Sequence, residues 1–268
     1  MRLRVTKAHA YGNDFLFVAE ELLAGSAVER PALARAMCDR HRGIGADGLA
    51  FYTNTERGAT MRLLNADGSP SEVSGNGVRC LATVVASGRG LAPESRPTVE
   101  IESDAGPKGL TLLGIDGGSY RFRASMGQPS EIRDVVLDVD STPTPAVALR
   151  VGNPQCVVVG GPLSPERLAT FGPALQRHPL FPEGVNFELA VVEAPHRVRI
   201  LIWERGVGPT WSSGTGSCAS AVAAILRGGA ARTVTVSAPG GDQLVEWLDD
   251  GLYLTGEARV VFEGEWRG

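Results

Sequence analysis

The sequence predicts an α+β fold with a mostly antiparallel sheet, built as one lobe used twice. Three observations predict it. Short strand signals dominate the 268 residues, and the few helical signals fall at matching places in each half. A Ser-Gly-x-Gly turn also occurs twice, as "SGNGVRC" at 74–80 and "SGTGSC" at 213–218, 139 residues apart. Each half reads strand, polar loop, Ser-Gly-x-Gly, helix, the loops being "NADGSPSEV" and "ERGVGPTWS". A boundary at "GIDGG" (114–118) gives lobes 1–117 and 118–268, with the C-terminal tail expected to pack back on the first.

The elements follow in order. "RLRVTKA" (2–8) and "FLFVAE" (15–20) carry apolar residues at strand spacing, and Pro31 suits the first turn of a helix through Cys38. The strand "ATMRLLNA" (59–66) leads to the first turn, after which Val78, Leu81, Ala82 and Val85 recur at helical spacing. "TVEIES" (98–103), "YRFRAS" (120–125) and "CVVVGG" (156–161) are strands, and Ser164 with Pro165 opens a helix over 164–177. After "NFELAVVE" (186–193), "HRVRILIWERG" (196–206) alternates Val198, Ile200 and Ile202 with Arg197 and Arg199, a half-buried strand whose end delivers Glu204 and Arg205 to a loop. The second turn feeds a helix marked by Cys218, Ala221, Val222 and Ile225, and "TVTVSA" (233–238) and "GLYLTGEARVVFEG" (251–264) close the chain.

Composition narrows the function. Hydrophobic residues make up 43%, charged residues 21%, and the net charge is −4 with both signs interspersed. No basic stripe points to nucleic acid, and no apolar run approaches the roughly 18 residues of a membrane span. "MRLRVTKAHAYGND" lacks the apolar core of a signal peptide. Cys38, Cys80, Cys156 and Cys218 stand singly, as reduced thiols of a cytoplasmic protein do, rather than in a disulfide or zinc framework. No metal site is expected.

A turn that opens a helix leaves backbone N–H groups pointing out of the helix end, where the dipole adds positive charge. Two such ends across an interlobe cleft would grip a carboxylate and stabilise charge developing on it. Taken alone, Ser74 and Ser213 are equally well ordinary caps, with the glycines permitting tight turns; the symmetric repetition favours a site. Asn13, Asn65, Asn153 and Asn186 are turn residues one by one, and Glu204 with Arg205 reads also as a surface charge pair. Together they form a set suited to a small zwitterion: guanidinium for carboxylate, Glu and Asn oxygens for ammonium.

"YGNDF", "HRGIGADGL", "NADGS", "SGNGVRC", "VGNP", "GVNFE", "ERGVG" and "SGTGSC", in this order over residues 12–218, resemble the signature segments of diaminopimelate epimerase. The resemblance implies two pseudo-symmetric lobes, each a sheet wrapped around a central helix. It implies a cofactor-independent homodimeric enzyme inverting an amino-acid α-carbon by two-base proton transfer, with meso-diaminopimelate as family substrate. Carried over by position, it places Asn13, Asn65, Asn153, Asn186, Glu204 and Arg205 around the substrate. Gly75 with Asn76, and Gly214 with Thr215, would supply the helix-end amides.

The departures fall on the chemistry. Where the family has its two catalytic cysteines, this chain has Ser74 and Ser213; Gln155 and Pro209 replace a histidine and a glutamate, while Cys80 and Cys218 remain. A thiol with pKa about 8.5 supplies thiolate near neutral pH, whereas serine needs an adjacent base. Neither motif has a histidine beside it in sequence. Three readings stand: an epimerase whose catalytic thiols are replaced, slow or inactive; an isomerase of the same fold using Glu204 as base; and a non-catalytic amino-acid-binding protein.

Overall fold

A computed structural model describes residues 2–71, 74–103, 106–139 and 142–268, which divide into two compact units. The first comprises residues 1–124 and 256–268, the second 125–255.

Unit 1 contains β1 (Arg2–Ala10), β2 (Asn13–Ala19), α1 (Arg30–Cys38), β3 (Gly48–Asn54), β4 (Gly58–Asn65), α2 (Gly75–Gly88), β5 (Thr98–Ser103), β6 (Gly106–Asp116) and most of β7 (Ser119–Gly127). The strands neighbour one another in that order, β2–β3 and β4–β5 parallel and the other pairs antiparallel. A parallel pair needs a crossover, and here α1 and α2 are those crossovers. α2 is buried from Asn76 through Ala86, on every side. Val78, Leu81 and Val85 of α2 pack among Ala8, Phe15, Phe17, Ile101, Leu112 and Phe122 of the strands. The opposite strand face, with Leu3, Val5, Leu16 and Val18, packs on Leu33, Ala34 and Met37 of α1. Strand alternation thus serves two helices, one inside the sheet and one outside.

Unit 2 repeats the plan with β8 (Ser130–Val139), β9 (Thr142–Val151), β10 (Asn153–Val159), α3 (Pro165–Leu175), β11 (Asn186–Ala194), β12 (Arg197–Glu204), β13 (Gly208–Thr210), α4 (Gly214–Arg227), β14 (Thr233–Ala238) and β15 (Gly241–Leu248). The last strand, β16 (Gly251–Arg267), gives its first five residues to unit 2 and the rest to unit 1, where it pairs antiparallel with β1. β10–β11 and β12–β14 are parallel, bridged by α3 and α4, as β2–β3 and β4–β5 are by α1 and α2. Ala221, Val222 and Ala224 of α4 are fully buried among Val147, Val157, Ile200, Val236 and Leu252, while α3 packs on the outer face through Leu168, Phe171 and Leu175. The expected α+β class and the sheet wrapped around a central helix in each lobe are what the structure shows. Strands β3, β6, β8, β9, β13 and β15 are additions to the sequence reading.

Candidate functional site

Each unit gathers its own set of polar residues around the start of its buried helix. In unit 1, Ser74 has extended backbone and caps α2: its Oγ accepts the N–H of Gly77 at 3.2 Å. The first-turn amides of Gly75 and Asn76 point out of the helix end with no intrahelical partner available to them. Among the described residues, and apart from its chain neighbours and its own helix backbone, nothing lies within 4 Å of where a Cβ on Gly75 would stand. Asn76 is buried; its Nδ2 donates to Asn13 Oδ1 at 3.5 Å, and its Oδ1 accepts from Arg79 at 3.1 Å. Asn65 ends β4 and instead serves its own loop, donating to Ser69 Oγ at 3.0 Å and Pro70 O at 3.4 Å.

Asn13 is held from behind. Its Nδ2 donates to Asp47 Oδ2 at 2.6 Å, and Arg40 joins Asp47 to Asp14 with 2.7 Å contacts to each. Lys7 Nζ stands 2.9 Å from Asp14 and donates to Gly45 O at 2.6 Å. Burial pushes the Asp14 carboxyl up, but hydrogen bonds and charge from Arg40 and Lys7 outweigh it and hold the group below the usual carboxylate range. A carboxyl lowered in the fold contributes stability above its unfolded pKa of about 3.9, lost as pH falls through the lower folded value. Asp14→Asn is therefore expected to lower unfolding free energy at pH 7 by about 1–3 kcal/mol, discounted because Arg40 is half exposed. Urea titrations at descending pH check this: the gap between variant and native chain closes in acid, and a pH-independent gap would refute the charge argument.

In unit 2, Ser213 caps α4, its Oγ accepting the N–H of Gly216 at 3.1 Å and lying 3.4 Å from Thr215 Oγ1. Leu254 Cδ2 lies 3.1 Å from where a Cβ on Gly214 would stand, so this end is tighter than its counterpart. Asn186 starts β11 and ties two loops together: its Nδ2 donates to Pro154 O at 3.4 Å and its Oδ1 accepts the N–H of Arg205 at 2.8 Å. Arg205 in turn donates to Glu183 O at 3.0 Å. Asn153 accepts a short hydrogen bond from Gln155, and half-buried Glu204 ends β12, as the alternation implied.

The glycines need a different explanation from the tight turns expected of them. Gly75, Gly77, Gly214 and Gly216 are absent from the left-handed backbone positions of the chain; all four lie within regular helix. At Gly216 the requirement is space, because a Cβ there would stand 2.6 Å from Glu188 Oε1.

The four cysteines are free and buried. Burial pushes the thiols of Cys80 and Cys156 far up, and that of Cys38 to about 12. None of these three is poised to ionise near neutral pH. Among the described residues, no group of His, Cys, Asp or Glu is arranged to hold a metal, and no helix is long and apolar enough to cross a membrane.

Sequence reasoning missed Asp47, Arg79 and Glu188. Asp47 lies in "HRGIGADGL" and Arg79 in "SGNGVRC"; an arginine among Val78, Cys80 and Leu81 of a mostly apolar helix was the available signal. Glu188, a carboxylate inside the apolar run "NFELAVV", was another.

The sequence profile of the diaminopimelate epimerase family matches residues 5–130 and 147–261. Diaminopimelate epimerases of Desulfitobacterium hafniense and Desulforudis audaxviator are each 40% identical to the chain, over 98% of it and 97% and 99% of their own lengths. Among solved structures, a phenazine biosynthesis protein of the PhzF family from Bacillus anthracis superposes with a TM-score of 0.72 at 17% identity, covering 99% of each chain. A hydroxyproline epimerase from Agrobacterium vitis, solved with trans-4-hydroxy-L-proline bound, gives 0.67 at 16% identity over 98% of this chain and 90% of that one. At such identities the likeness speaks to the fold.

Proposed function

Because the chain belongs to the diaminopimelate epimerase family, we propose that it binds diaminopimelate and interconverts its LL and meso forms slowly, without a cofactor, Ser74 and Ser213 occupying the two acid–base positions. The observation that carries this reading is the pair of serine-capped helix starts, each with its own polar set. Asn13 and Asn76 are joined in unit 1, and Asn153, Gln155, Asn186 and Arg205 in unit 2. In this reading Arg205 and the amides of Gly75, Asn76, Gly214 and Thr215 take the substrate's carboxylates, while the Asn oxygens and Glu204 take its ammonium groups. Asn65 contributes from its loop.

The chemistry takes two acid–base groups, Ser74 and Ser213. One oxygen removes the α-proton, and the other returns a proton to the opposite face. A hydroxyl is far less acidic than a thiol, so little of the basic form exists at neutral pH and turnover is low. The protein would serve the lysine and peptidoglycan precursor pathway in the cytoplasm as a homodimer, the last of which light scattering checks. The primary test is calorimetric titration with diaminopimelate together with loss of its α-proton NMR signal in deuterated water. Binding with slow exchange is expected; neither binding nor exchange would overturn the assignment. Binding with no exchange at all would establish the non-catalytic reading.

Gln155 and Pro209, two further positions changed beside the serine, favour a second reading in which Glu204 is the base. Pro209 pairs with Trp203 on the strand that ends in Glu204. Exchange that survives serine-to-alanine changes at 74 and 213 but disappears in Glu204→Gln would select it.

A further inference from the structure

Unit 2 holds a carboxyl group to which the roles above give no task. Glu188 stands on β11 two residues past Asn186, opposite Val157 of β10 and Ile202 of β12. It is fully buried, and neither carboxyl oxygen has a hydrogen-bond partner among the described residues. An unsatisfied carboxyl inside a core is costly to keep and calls for a reason. It is aimed at the start of α4: the point where a Cβ on Gly216 would stand lies 2.6 Å from Glu188 Oε1 and 3.2 Å from Ser213 Oγ. The two oxygens are not hydrogen-bonded to one another, yet both border the same point, and a side chain at 216 would crowd them both.

The surroundings of Glu188 are sparse in charge. β12 brings Glu204, whose negative charge adds to burial in favouring the protonated carboxyl. β10 brings Gln155 and Val157, with Cys156 on its other face, and Glu188 adds to the burial that pushes that thiol up. The first two turns of α4 hold hydroxyls, those of Thr215, Ser217 and Ser220, the buried Cys218, and no charged side chain.

We propose that Glu188 is a positioning residue for the reaction described above, taking and returning the hydroxyl proton of Ser213 so that a serine serves where the family has a thiol. The inference rests on the epimerase reading. In the forward step Ser213 Oγ takes the substrate's α-proton and the C–H electron pair stays on the substrate as a carbanion. The Ser213 hydroxyl proton moves to the Glu188 carboxylate, so the substrate gains the negative charge that Glu188 loses. The reverse step restores both. A carboxyl that burial makes hold its proton more tightly than usual is a better partner for so weak an acid as serine.

The experiment follows deuterium uptake at the diaminopimelate α-carbon across pH. The native rate is expected to climb with pH as Glu188 loses its proton. Glu188→Gln should lower it at least about 10²-fold and remove the climb. Gly216→Ala, which crowds both oxygens, should do the same. Adding Ser213→Cys to Glu188→Gln should restore exchange, because a thiolate needs no such partner; failure to restore it in a variant that still binds diaminopimelate would mark Glu188 as merely structural and overturn the proposal. So would a Glu188→Gln rate and pH profile equal to the native chain's. Infrared spectroscopy gives a readout independent of turnover: a protonated carboxyl band present in the native chain, absent in Glu188→Gln and displaced by Ser213→Ala. A band unmoved by Ser213→Ala overturns the coupling of the two groups even where diaminopimelate binds. Should the substrate neither bind nor exchange, the functional reading fails while the infrared result still decides this one.

Discussion

Replacing Ser74 and Ser213 together by cysteine is expected to raise α-proton exchange of diaminopimelate by about 10²–10⁴-fold at neutral pH, the range a well-matched acid–base group supplies. Both serines stand at the first position of a buried helix, where the amides and the dipole favour an anion. A thiol there has its pKa drawn below the free value of about 8.5, so a useful fraction ionises at neutral pH. The surrounding polar groups need no change, since Asn13, Asn76, Asn186 and Arg205 already hold one another by hydrogen bonds. Single cysteine variants should gain far less, because inversion uses one group on each face. The measurement is deuterium incorporation for the native chain, both singles and the double. A double variant that binds diaminopimelate yet exchanges no faster would show that the serines are not what limits this chain.

Leu81→Ala is expected to cost about 3–5 kcal/mol of unfolding free energy, the upper range for truncating a large core side chain. Leu81 is fully buried on a helix enclosed on all sides, so no solvent-facing side chain can turn inward to fill the space. Val222→Ala at the matching helix of unit 2 removes less volume and should cost about 2 kcal/mol. Urea unfolding of both variants tests the comparison. A loss below about 1 kcal/mol for Leu81→Ala would contradict the enclosure of α2.

The central helices were legible because each combines a capping serine with apolar residues at helical spacing, and because the pattern occurs twice. The parallel pairing of β4 with β5 and of β12 with β14 was not, since pairing across a helix leaves no local trace. β9 was hidden by Pro143 and Pro145. Its register with β10 begins only at Val147, so both prolines lie where β8 is the one recorded partner, a position that tolerates a missing N–H. β8 was hidden because its first five residues are all exposed and only Leu137 and Val139 are buried.

Asn13, Asn65, Asn153 and Asn186 were readable as turn residues; in the structure each stands at a strand end, and Asn13 bonds Asn76 at the start of α2. Arg79 and Glu188 were not singled out. A charge in a short apolar run looks like the solvent side of an alternating pattern, and only the sheet wrapped around each helix makes it buried.

The capping bonds of Ser74 and Ser213 have a thermodynamic side. A serine cap stabilises its helix by about 1 kcal/mol over a residue that cannot accept the amide, and sulfur is a weak acceptor. The cysteines that would quicken the chemistry would therefore loosen the first turn of both central helices. On the reading proposed above, stability and turnover trade against each other at the same two atoms: the Oγ that anchors each helix start is the one whose reluctance to ionise would slow the reaction.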